Sequence, residues 1–282
     1  MRARLLVLAA ALLFSTGGAA IKATSLTAWQ VASFRSGVAA LALLLLLPGS
    51  RRRPDRPTLL VGIVYGLTMV LFVAANKLTT AANAIYLQST APLYILLAAP
   101  LLLREPVKRA DVIFMLALAA GLAAFFVGEE PPRESAPNPG LGNLVAVASG
   151  LSWAGTVIGL RWLSRRTTSA LATQPALVVG NVFACLMALP LALPAAVSGT
   201  DLAIILWLGV VQIGLAYVCL TMGLAGVPAL EASLLLLVEP VLNPVWAWVA
   251  QGEEPGKWAI AGGAIILAAT ALRTLHDRRG QA

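Results

Sequence analysis

Residues 81–106 read AANAIYLQSTAPLYILLAAPLLLREP, and residues 229–254 read ALEASLLLLVEPVLNPVWAWVAQGEE. One offset of 148 residues pairs Ala81 with Ala229, Ala84 with Ala232, Leu87 with Leu235, Pro92 with Pro240 and Glu105 with Glu253. Each copy is a long apolar run with a proline near its middle. A weaker echo joins residues 13–17 with 151–155. The chain therefore carries an internal repeat, and what surrounds each copy tells what kind.

Apolar runs continue outward from both copies. Of the 282 residues, 59% are hydrophobic and 11% charged, whereas a soluble domain has about 25% charged residues. The surplus apolar surface has to face lipid, where helices are stable because each satisfies its own backbone polar groups. A span needs about 20 apolar residues. The pattern predicts an all-α membrane protein with ten spans, at roughly 5–22, 28–47, 58–76, 81–103, 110–127, 141–160, 171–197, 201–222, 229–250 and 256–274. Arg2 and Arg4, the first apolar run and the small residues 17–20 also have the make-up of a signal peptide. Removing that segment would leave nine spans and spoil the repeat. The two cysteines, Cys185 and Cys219, lie in apolar runs and read as small core residues.

Basic residues set the direction. With the N-terminus inside, the inside loops collect fifteen Lys and Arg, including Arg51, Arg52, Arg53, Arg161, Arg165 and Arg166. The outside loops collect four: Lys22, Lys77, Arg133 and Lys257. That bias predicts both termini cytoplasmic. It also accounts for the net charge of +8 without a nucleic-acid partner. Five spans per half is an odd number, so the second half would be inserted upside down relative to the first. The predicted organisation is a first five-helix repeat over 1–127, an extracytoplasmic linker at 128–140, and a second repeat over 141–282 with a short cytoplasmic tail.

Inverted repeats are a transporter architecture, with the solute handled near the midplane where the repeats meet. Pro92 and Pro240 fall mid-span in matching positions, and each frees the carbonyl four residues earlier. They are candidate hinges; ordinary proline kinks are the other reading. Glu239 beside Pro240 sits at the centre of its span, where an ionised carboxylate costs about 2.5–3.5 kcal/mol on insertion scales. It is either a gating or coupling residue or a link to a neighbouring helix. Glu231 lies near the end of the same span, as a gate or as a solvated helix-end charge. Arg35 lies about 10 Å into the second span at 1.5 Å per residue, and reads first as structural.

On an unbroken helix, Asn83, Leu87, Thr90 and Tyr94 share one 60° sector, with Tyr86 beside it. This stripe suits a cavity wall. Its repeat counterpart, with Glu231 and Leu235, is far more apolar. One polar and one apolar wall suit an amphipathic solute with a nonpolar side group. Tyr65, Trp153, Gln212 and Tyr217 are further candidates for substrate contact, as are Ser15 and Thr16, which echo the Trp153 position. Gly62-x-x-x-Gly66 and Gly155-x-x-x-Gly159 match a helix-packing motif.

Several chemistries lack their residues. No G-x-x-x-x-G-K-[ST] loop occurs. The one histidine, His276, lies in the tail, and no Cys/His cluster forms a metal site. No enzyme activity, cofactor or metal is expected.

The stretch from Ala81 to Glu105 and its copy, through Glu239-Pro240 to Gly252-Glu253, resemble the fourth and ninth spans of the EamA-type drug/metabolite transporters. Arg35 after Trp29 also matches the placement usual there. The resemblance covers nearly the whole chain. It implies a ten-helix basket with spans 1, 3, 4, 6, 8 and 9 around a central cavity, and export by alternating access. Within the superfamily the chain looks most like bacterial aromatic amino-acid exporters. It departs from the pattern at Ala91, which stands where the second repeat has Glu239. The resulting expectation is a monomeric inner-membrane exporter of aromatic or broadly neutral amino acids, working in the bilayer on a small-molecule substrate. An exporter of cationic drugs or other metabolites is the alternative.

Overall fold

The structure is a computed structural model; it describes residues 1–98, 109–127, 131–166, 173–224, 226–227 and 235–279. Glu231 and the end of the expected fourth span lie outside these. The described residues are helical throughout, apart from connections and one isolated bridge between Arg133 and Ala136. In chain order the helices are α1 (Arg2–Ser15), α2 (Gly17–Ala23), α3 (Ala28–Leu46), α4 (Arg56–Leu78), α5 (Ala81–Gln88), α6 (Ala91–Ala98), α7 (Arg109–Val127), α8 (Pro139–Arg165), α9 (Gln174–Ala192) and α10 (Gly199–Leu206). A π-helical stretch, Trp207–Leu215, leads into α11 (Ala216–Leu224). Then come α12 (Val238–Gln251) and α13 (Lys257–Arg279).

Six of the described helical segments are long and apolar enough to cross a membrane: Arg2–Ala23, Ala28–Leu46, Arg56–Leu78, Pro139–Ser164, Gln174–Ala192 and Gly199–Gly223. Asp111–Val127 is a shorter apolar helix. Large side chains such as Leu45 and Val249 stay mostly exposed, as lipid-facing residues should.

Local chemistry starts and stops these helices. Thr27 and Gln30 cap α3 reciprocally, Asp55 caps α4, Thr80 caps α5, and Ser198 with Asp201 caps α10. Gly252, at φ 65°, ends α12 in the left-handed conformation that glycine adopts without strain.

Glycines let the central helices approach closely. A Cβ on Gly62 of α4 would meet Val179 of α9 at 2.5 Å, and one on Gly159 of α8 would meet Val61 at 2.8 Å. Helix α4 is thereby clamped between α8 and α9. Asp111 of α7 and Arg273 of α13 form an ion pair that ties those helices together.

One end of the bundle is knit by polar side chains. The Lys22 ammonium lies 2.8 Å from Glu253 Oε2, with both side chains almost fully buried. It also donates to the Thr79 carbonyl at 2.9 Å. Lys77 donates to the Thr24 carbonyl at 2.8 Å, Ser25 to Asp201 at 2.8 Å and Thr79 to Asn143 at 2.8 Å. Connections before α3, α5, α8, α10 and α13 thus meet in one network.

Candidate functional cavity

The helix containing residues 81–98 is broken at Ser89 and Thr90. Pro92 offers no N–H to the Gln88 carbonyl, and the bonding tightens to three-residue turns: Thr90 donates to Leu87 at 3.3 Å, and Leu93 to Thr90 at 2.9 Å. Leu237, 148 positions after Ser89, is likewise a turn residue, three before Pro240. Helix α1 gives way to α2 at Thr16.

Beside the breaks at Ser89 and Leu237 lies a cavity of about 260 Å³. Phe14 of α1, Arg35 of α3, and Tyr65, Met69 and Phe72 of α4 line it. So do Ile85, Gln88 and Ser89 at the first break, and Trp153 and Leu160 of α8. Gln212 and Ile213 of the π stretch, Tyr217 and Leu220 of α11, and Leu236, Glu239 and Pro240 complete the wall. Drug-sized ligands fill pockets of roughly 300–1,000 Å³, so this one matches a smaller solute.

The wall is largely aromatic and aliphatic. Tyr217 meets Phe14 edge-on with ring centroids 5.2 Å apart, and Tyr65 at 6.2 Å. Two formal charges interrupt it. Glu239 lies in the first turn of α12, where the positive end of the helix dipole favours a carboxylate. Arg35 is 1% exposed. Its guanidinium donates to the Met69 carbonyl at 3.3 Å, and Nε has no partner. Gln212 donates to the Phe14 carbonyl at 3.4 Å, while its buried Oε1 is unpaired.

Six of the residues singled out from sequence meet here: Tyr65, Trp153, Gln212, Tyr217, Glu239 and Pro240. The polar stripe does not. Asn83 donates to Asn143 at 3.0 Å in the end network. Tyr86 packs on Phe125 and against Gly263. Leu87 is buried, with its carbonyl close to Gly150 of α8. Thr90 donates to Leu87 at 2.6 Å, and Tyr94 packs in the core. Asn83 and Leu87 lie on the unbroken α5, and the cavity takes the opposite face of that helix, where Ile85, Gln88 and Ser89 follow one another at helical spacing. Gln88 is held by Ser149 at 2.8 Å.

Ser15 and Thr16 sit at the α1–α2 break, where their hydroxyls accept from Trp246 at 2.9 Å and Trp207 at 3.2 Å. Their neighbour Phe14 is the one that lines the cavity. Leu235 packs against Val7 and Val227. Pro92 shapes its break without touching the cavity.

Arg35, which the sequence reads first as structural, is a further charged residue of the wall. The available signal was an intramembrane cation with no acidic residue three or four positions away to pair it: Val31, Ala32, Val38 and Ala39 occupy those places.

Apolar helices around a partly polar internal cavity define a multi-pass membrane protein. The model of the EamA-like transporter family matches residues 1–127 and 140–275, and the chain belongs to that family. It is 28% identical over 276 residues to the pseudopaline exporter CntI of Pseudomonas aeruginosa, covering 94% of this chain and 93% of that one. It is also 28% identical over 216 residues to an uncharacterized transporter of Archaeoglobus fulgidus, covering 77% and 75%. A crystal structure of a protein 21% identical in sequence covers 99% of both chains with a TM-score of 0.66, and so shares the fold.

Proposed function

We propose that this chain exports small amino acids, aromatic or broadly neutral, across a bacterial inner membrane by alternating access. The observation that carries this is the cavity beside the two broken helices, with the Glu239 carboxylate set in an aromatic wall. A carboxylate suits a substrate ammonium, and the wall formed by Phe14, Tyr65, Phe72, Trp153 and Tyr217 suits an apolar side group. The volume of about 260 Å³ fits a solute of that size.

The proposal includes ten spans in two inverted five-helix repeats, with both termini cytoplasmic. Three features support it: the 148-residue offset relating the breaks at Ser89 and Leu237, the two family-model matches falling one on each half, and the bias of basic residues. In that orientation the Lys22–Glu253 network closes the extracytoplasmic end. A relative bearing the name of an exporter supports the direction of transport. No cofactor enters the scheme, and a monomer suffices for it.

The test is counterflow of radiolabelled solutes in liposomes holding the purified protein. The panel comprises aromatic, neutral, acidic and basic amino acids, a purine and a lipophilic cation, with and without a proton gradient. Saturable flux of phenylalanine, competed by other neutral amino acids, is expected. Flux of the cation without any amino acid would replace this reading with a cationic-drug exporter.

A further inference from the structure

We infer that Arg35 is the anion anchor of the cavity, so that a free carboxylate on the solute is required for recognition. This rests on the transport reading above and adds to it the group that Glu239 cannot bind.

Guanidinium has five N–H donors and stays charged in proteins. Here it is 1% exposed, and among the described residues its protein acceptors are the Met69 carbonyl at 3.3 Å and the Met69 sulfur at 3.7 Å. Neither Arg35 nor Glu239 forms an ion pair with the other. A structural arginine would be paired, as buried charges ordinarily are. A cross-link from α3 to α4 through one long bond is a thin return for burying a charge.

Arg35 and Glu239 line the same cavity without meeting, and Tyr217 lies within electrostatic reach of both. An α-amino acid carries the two complementary charges on adjoining groups. Its carboxylate matches the planar guanidinium fork, which can bind both oxygens. Its ammonium and side group are left for Glu239 and the aromatic wall.

Ser33 of α3 donates to the Cys185 carbonyl of α9 at 2.9 Å, and Gly209 of the π stretch packs tightly against Val38. Helix α3 is thus fixed on two sides, which holds the backbone of Arg35 at a set place on the wall.

The experiment uses the full-length protein in detergent, with radioligand competition as the readout. Phenylalanine, phenylalanine amide, phenethylamine and 3-phenylpropanoate are the probes. The wild type should bind phenylalanine at least tenfold more tightly than its amide or phenethylamine, and 3-phenylpropanoate should compete. Arg35→Gln should bring the acid-to-amide ratio to near one. Arg35→Lys keeps the charge but loses the fork, and should lower the ratio severalfold.

Equal binding of phenylalanine and its amide by the wild type would overturn the inference with no variant needed. An unchanged ratio in folded Arg35→Gln, or in Arg35→Lys should the first variant fail to fold, would also overturn it. Binding of 3-phenylpropanoate without amino-acid binding would keep Arg35 as the anchor while removing the amino-acid reading. Failure of every carboxylate to bind would remove Arg35 as well.

Discussion

The Lys22–Glu253 end and the central cavity both bury opposite charges, yet they treat them in opposite ways. At the end, the Lys22 ammonium faces Glu253 at 2.8 Å and the Thr79 carbonyl at 2.9 Å, and Glu253 also accepts from the Ala81 backbone N–H. In the cavity, among the described residues, Arg35 has one long bond to a carbonyl and Glu239 has no ionic partner. Paired charges hold helices together; on the reading proposed above, the unpaired ones serve a ligand. The difference teaches that buried charge is handled in two ways here, paired at the end of the bundle and unpaired at the cavity.

The largest effect should come from breaking the paired region. Glu253→Gln keeps an acceptor for Ala81 but strands the buried Lys22 ammonium, and should cost about 3–5 kcal/mol of stability. Adding Lys22→Met should restore much of the loss, since it removes the stranded charge. Unfolding midpoints of the two single variants and the double variant in detergent give the coupling. A single-variant cost of a few tenths of a kcal/mol would mean that water reaches this pair, and the contrast with the cavity would collapse.

Breaking the unpaired region should do the reverse. Glu239→Gln keeps the shape and loses the charge, and among the described residues there is no ion pair to lose. Transport should fall at least about tenfold, equivalent to ~1.4 kcal/mol, while the unfolding midpoint stays within the ±0.5 kcal/mol typical of harmless substitutions. Normal flux at all pH values would remove Glu239 from the mechanism. A large loss of stability would move it to the structural side of the comparison.

How much of this was legible depends on what kept a regular phase. The duplicated segment and its prolines could be read directly, because a fixed offset needs no geometry. Tyr65, Trp153, Gln212, Tyr217 and Glu239 stood out as polar or aromatic groups in apolar runs, and the structure gathers them around one cavity. The Asn83–Tyr94 stripe points away from the cavity because polarity alone does not tell which face of α5 meets the cavity and which meets α8, where Asn83 bonds Asn143. The π stretch over Trp207–Leu215 alters the turn around Gln212 in a way that composition does not signal. Lys22 and Glu253 read as separate loop charges, one in each half; their meeting depends on tertiary packing. Arg35 was visible as a buried cation, but whether it met an acid or a cavity depended on the neighbours of α3.

The smallest effect belongs to an exposed charge at the helix end opposite the Lys22 network. Asp55 caps α4, accepting from the Thr58 N–H at 3.0 Å and from its hydroxyl. The Thr58 hydroxyl bond, then the backbone bond, hold its carboxyl below the usual carboxylate range. A lowered folded-state value means that the native protein takes up the proton less readily than the unfolded chain. The contribution is therefore present above the unfolded value of about 4 and is lost as pH falls through the folded one. Asp55→Asn retains a capping acceptor but has nothing to titrate, so its unfolding midpoint should lose less than that of the wild type between about pH 5 and pH 3. Because water and salt reach this site, the difference should be small beside that of Glu253→Gln and should shrink further as salt is added. A pH effect at Asp55 as large as the cost of stranding Lys22 would show that exposure does not separate weak charges from strong ones in this protein, and that partner count alone is too simple a criterion.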